Sequence, residues 1–142
     1  MGPLRAASEG DELPLVEVLP NAEMVIRYCG LSWSFPSLFY DVDAARAQGM
    51  PGTIVPGPVK LGLLSQVVEQ WLEGDGWVRG VRAANRRPDV VGRPLTVTGR
   101  VVSHRDSDSI EQADIELTVT NESGQTTVRG FATVEFNSDR PR

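Results

Sequence analysis

The chain has 142 residues, 40% hydrophobic and 23% charged, with a formal net charge of −5 and a single cysteine. That length fits one domain able to bury a hydrophobic core without staples, and the acidic balance argues against a broad basic footprint for nucleic acid. One cysteine cannot close an internal disulfide, and no CxxC or Cys/His cluster suggests a metal site.

The N-terminus MGPLRAASEGDELP lacks the apolar core of a signal peptide. No apolar run approaches the roughly 20 residues a membrane helix needs, so a cytoplasmic location is expected. Met1 to Asp11 and Asn137 to Arg142 are expected as frayed tails. Leu13 to Leu19, closed by Pro20, is a strand or an extended lead-in. In NAEMVIRYCG, Asn21 can cap a helix whose apolar positions Met24, Val25, Tyr28 and Cys29 share a face, with Gly30 as its stop. Cys29 is expected as a small core residue.

A loop from Leu31 to Tyr40 follows, and Asp41 caps a second short helix, DVDAARAQG, that ends at Gly49. Two Pro-Gly pairs then bracket Thr53 to Val55. Leu61, Leu63, Leu64, Val67, Val68, Trp71 and Leu72 recur at three and four residues, which predicts a long buried helix over about 58–73 with Pro58 in its first turn. Gly62 within it is expected where another backbone comes close.

The remainder has the period of strands. Trp77 to Ala84 mixes aromatic and β-branched residues with arginines, and Leu95, Val97, Val101 and Val102 lie on the next strand. HRDSDS is expected as a polar turn that leaves His104 exposed. Ala113, Ile115, Leu117 and Val119 alternate, as do Val128, Ala132, Val134 and Phe136 after the turn NESGQ. Helices first, then one buried helix, then consecutive antiparallel strands is an α+β layout. It predicts a hot-dog fold, a sheet wrapped around the helix. Arg79, Arg82, Arg86, Arg87 and Arg93 crowd one span, either as a solvated strand face or as contacts to a phosphate-bearing ligand.

RYCGLSWSFPSLFYDVDAARAQGMPGTIVPGPVKLGLL and NRRPDVVGRPLTVTGRVV together resemble the MaoC-like (R)-specific enoyl-CoA hydratases. The likeness runs from about Arg27 to Val102. In that family an Asp, and a His five residues later, move the protons of hydration. Ser34 and Phe39 stand at those two positions here, so the resemblance implies a degenerate member with no catalytic residue of its own. Phe39 can neither take nor give a proton, and Ser34 has no visible base to activate it.

IVPG matches the family's helix start, where a glycine N–H holds the thioester carbonyl oxygen. Gly57 is therefore the oxyanion candidate, or a plain helix-start residue. Some hydratases of this family join a competent subunit to one without the dyad, including actinobacterial ones acting on steroid side-chain CoA thioesters.

The resemblance implies a non-catalytic subunit of a heteromeric enoyl-CoA hydratase. A MaoC-like catalytic partner would supply Asp and His, in a heterodimer or a dimer of heterodimers. An acyl-CoA would be the substrate, with no further cofactor. Trp33, Phe35 and Phe39 are the candidates for the acyl group, or bury against core or partner. Arg86 and Arg87 are the candidates for the CoA phosphates. Two rivals remain: a self-sufficient thioesterase or hydratase using Asp41 or Asp43, which otherwise cap or face solvent, and a non-enzymatic acyl-CoA binding protein.

Overall fold

A computed structural model describes residues 7–107 and 110–137 of the chain. In chain order these form β1 (Val16–Val18), α1 (Ala22–Ser32), a 3-10 turn (Ser37–Phe39), α2 (Val42–Ala47), α3 (Gly57–Leu72), β2 (Gly76–Asn85), β3 (Leu95–Ser107), β4 (Ile110–Asn121) and β5 (Thr126–Phe136). The strands make one antiparallel sheet in the order β1-β3-β4-β5-β2. The sheet curls around α3 in the hot-dog arrangement expected from the sequence.

Register explains the core. Val97 pairs with Val119, and Val101 with Ile115, so their side chains share one face of the sheet. Leu117 pairs with Gly130, and Ala113 with Val134. That face meets Leu63, Leu64, Val67, Val68 and Leu72 of α3, all buried. Gly130 admits the helix: a Cβ there would overlap the Cδ1 of Leu64. At the far end of α3, Trp71 meets Phe136 edge to face at 6.1 Å.

Several expectations change. Gly30 does not stop α1. Ser34 N donates to Cys29 O, and the helix ends two residues beyond Gly30, at Ser32, with Trp33 as its left-handed cap (φ 51°). Gly62 faces open space, with nothing within 4 Å of a Cβ built there, so it serves no close approach within this chain. HRDSDS is not a turn up to Ser107: β3 runs through it, and His104 pairs with Ala113 of β4. Residues 7–11 are not frayed. Ala7 is buried and Gly10 N donates to Val101 O at 2.8 Å. Asn137 also holds on, donating to Asp75 O. Residues 1–6 and 138–142, the rest of the expected tails, lie outside the described residues.

Candidate functional site

The site grows from the start of α3. Pro56 precedes the helix in an extended conformation and offers no side-chain cap. The N–H of Gly57, in the first turn, has no acceptor within its own helix, and the helix dipole makes this end positive. A side chain at Gly57 has no room, because Nδ2 of Asn85 would lie 2.8 Å from its Cβ. Asn85 ends β2 opposite Val128 and is exposed. The backbone of Gly57 thus sits bare beside an amide.

Around it opens a cleft of about 490 Å³. Pro36, Leu38 and Phe39 form one wall, and Asn85, Arg86, Arg87 and Pro88 another. The 3-10 turn brings Phe39 there: Phe39 N donates to Pro36 O, and Leu38 O accepts from Ile54 N. The fold therefore brings together Phe39, Gly57, Arg86 and Arg87.

It leaves Trp33 and Phe35 outside the cleft lining. They are 82% and 49% exposed, and their rings meet edge to face at 5.4 Å. Ser34 is absent from the lining too. Asp41 and Asp43 are both exposed, and Asp41 Oδ1 accepts from the N–H groups of Asp43 and Ala44 as a helix cap.

Lys60 and Asp89 were not anticipated. Both are buried, at 2% and 3% exposure. Lys60 Nζ lies 3.0 Å from Asp89 Oδ2 and donates to Arg87 O at 3.2 Å. Asp89 Oδ1 has no hydrogen-bond partner. A buried ion pair is costly to desolvate and stabilises only when its geometry is good. This one ties the segment carrying Arg86 and Arg87 to the first turns of α3. Val55 N to Asp89 O and Val91 N to Thr53 O reinforce the same seam. A sequence signal existed: Lys60 continues the buried i, i+4, i+7 stripe of Leu64 and Val67.

The other arginines of the cluster are engaged elsewhere. Arg79 forks onto Glu135, at 2.9 and 2.8 Å, and Arg93 pairs with Glu122. Arg82 lies 4.7 Å over the ring of Phe131. His104 is not the exposed turn residue expected: its side chain is 25% exposed, with Nε2 2.9 Å from Glu111 Oε1.

Titrations shift on the outer face of the sheet. The Arg105 guanidinium, helped by the hydroxyls of Thr133 and Ser103, holds the Asp114 carboxyl down at about 2. Arg79 likewise lowers Glu135. Among the described residues no group of three or more His, Cys, Asp or Glu side chains could hold a metal ion. None of their helices is long and apolar enough to cross a membrane.

Chemically the cleft offers donors: the Gly57 N–H, the Asn85 amide and two guanidinium groups. It can hold a carbonyl oxygen and anions. Its lining contains no carboxylate and no histidine.

No family model matches the chain, and no curated protein matches it in sequence. Solved structures do match it. The (R)-hydratase from A. caviae involved in PHA biosynthesis superposes with a TM-score of 0.85 at 22% identity, over 94% of this chain and 99% of that one. A chain of the ChsH1-ChsH2 complex from Mycobacterium tuberculosis matches at 0.81 and 17% identity, over 93% and 100%. A chain of the HadBC (3R-hydroxyacyl-ACP dehydratase) complex from the same organism matches at 0.78 and 14%, over 93% and 99%. The fold is thus the hot-dog fold of MaoC-like dehydratases and (R)-hydratases.

Proposed function

We propose that this chain is a MaoC-like domain acting as the non-catalytic subunit of a heteromeric enoyl-CoA hydratase. One observation carries the reading: a cleft at the start of α3 that Gly57 lines, with Phe39 in its wall and no carboxylate or imidazole among its lining residues. Two of the structural neighbours are by name complexes of two different chains, which supports a partner here.

Hydration of a 2-enoyl thioester needs a base to take a proton from water and an acid to supply one to the α-carbon. The partner's Asp and His would do both. This chain supplies sheet pairing, the acyl channel, and donors for charge. The Gly57 N–H faces the thioester oxygen as it becomes enolate-like, and Arg86 and Arg87 meet the phosphates of CoA. Phe39 and Leu38 line the acyl side, which suits a bulky group such as a steroid side chain. The complex works in the cytoplasm and needs no cofactor besides the CoA of its substrate.

Co-expression with a MaoC-like chain that carries the Asp and His pair tests the assembly. Sedimentation is expected to show a stable heteromer. Two chains that purify apart, each with itself, would remove the reading.

A further inference from the structure

The end of α1 and the loop after it carry an apolar knob that the described residues leave uncovered. Leu31 is 90% exposed and Trp33 82%, and Phe35, Tyr40 and Val42 are between 43% and 52% exposed. The knob is held in shape. The rings of Trp33 and Phe35 meet edge to face at 5.4 Å, and Tyr40 OH donates to Phe35 O at 3.1 Å. Together these side chains expose on the order of 500 Å², since a large aromatic alone presents about 150–250 Å². Soluble chains rarely leave contiguous apolar patches beyond a few hundred Å² unless something binds there.

The backbone gives an independent indication. Trp33 caps α1 in the left-handed region, at φ 51°, and its N–H and that of Ser34 both donate to Cys29 O. Glycine suits such a cap, and a side chain there is strained. The chain places an indole at this position and then leaves it in water. Folding alone gives no reason for that choice.

The knob continues into the cleft, because Pro36, Leu38 and Phe39 of the same loop form one of its walls. Under the hydratase reading, on which this step rests, the acid and the base come from another chain. That chain has to stand at the rim of the cleft, where the knob is. Charge selects among occupants. Asp41 and Asp43 are exposed beside Tyr40 and Val42, against the single cation Arg46 of α2, while Glu23 neutralises Arg27. A second copy would set like-charged rims against each other in a chain of net charge −5. An anionic bilayer would be repelled in the same way. We infer that the proton-transferring partner subunit docks on the Leu31–Trp33–Phe35 knob, through an apolar recess bordered by basic residues. Tryptophan and tyrosine dominate binding when they fill such a desolvated pocket.

The test is sedimentation of the full chain mixed with a MaoC-like chain that carries the Asp and His pair. Trp33→Gly separates binding from folding. Glycine relaxes the cap, so the Tm of this variant should be no lower than that of the wild type. Its association should weaken about thirtyfold or more, as for the loss of a central tryptophan. Leu31→Ser should weaken association severalfold, and Leu15→Ser, on an exposed leucine before β1, should leave it unchanged. Undiminished association of both Trp33→Gly and Leu31→Ser would overturn the surface and leave the hydratase reading standing. A Tm that falls together with association in Trp33→Gly would assign the indole to the fold and overturn it too. So would self-association of the chain, or its flotation with phosphatidylcholine vesicles, if Trp33→Gly abolished either. A wild-type chain that does not associate with the partner sinks the hydratase reading and this surface together.

Discussion

Replacing Lys60 by methionine removes an ammonium from the interior and leaves a stem of similar reach. Asp89 then stays buried with neither oxygen paired, because Oδ1 already has no partner and Oδ2 loses its bond to Nζ. Breaking one side of a buried pair costs about 3–5 kcal/mol. The 2% exposure of Lys60 places this case toward the upper end. Against a total stability of roughly 5–15 kcal/mol that is a large share, and it corresponds to a fall in Tm of about 10–20 °C for a chain of this size. Urea unfolding at pH 7 measures it directly. The double variant Lys60→Met with Asp89→Leu should regain most of the loss, since an apolar pair of similar volume replaces the ions. A single variant that loses under about 1 kcal/mol, or a double variant no better than the single, would refute the claim that this pair clamps the Arg86–Arg87 segment to α3.

Other outcomes follow from the same geometry. Gly130→Ala should cost about 1–3 kcal/mol by overpacking. Combining it with Leu64→Ala should cost less than the sum of the two, because the new methyl enters the space vacated by Leu64; strict additivity in urea melts would contradict the packing. Asp114 is held at about 2 against its ordinary 3.8. Its folded value is the lower one, so its contribution is complete above about pH 4 and is lost as pH falls toward 2. Asp114→Asn should therefore lie below wild type at pH 7, by under about 1 kcal/mol for so partly solvated a group. The gap should close near pH 2, and a gap independent of pH would refute it. Asp41→Asn keeps a good helix cap and touches nothing in the cleft; turnover by the complex should be unchanged, whereas its loss would favour a self-sufficient enzyme built on Asp41.

Long periodic elements were legible because burial imposes their pattern. The stripe of α3 and the alternation of β4 and β5 follow from one packed interface. Where strands outrun that interface, the pattern disappears. Beyond Val101, β3 carries His104, Arg105, Asp106 and Ser107, whose side chains are polar although β3 stays paired with β4 as far as Ser107. Composition alone then imitates a turn. Gly30 misled for a related reason: Gly in a helix costs only about 1 kcal/mol, too little to end α1 when the following residues extend it to Ser32.

The candidate site was legible in part, through the order of its motifs. Phe39, Gly57 and the Arg86–Arg87 pair are 18 to 48 residues apart in sequence, yet share one cleft. Trp33 and Phe35 were named for their aromaticity, and that property does not say which way a loop turns. The Lys60–Asp89 pair was missed because its partners are 29 residues apart and each looks like a surface residue by type.

The central claim concerns where the chemistry resides, and turnover of a bulky 2-enoyl-CoA tests it most directly. The purified chain should be inactive alone. Mixed with a MaoC-like partner carrying the Asp and His pair it should support hydration, and changing the partner's His to Ala should abolish it. Hydration by this chain alone, or by the mixture with the Ala-substituted partner, would contradict the account.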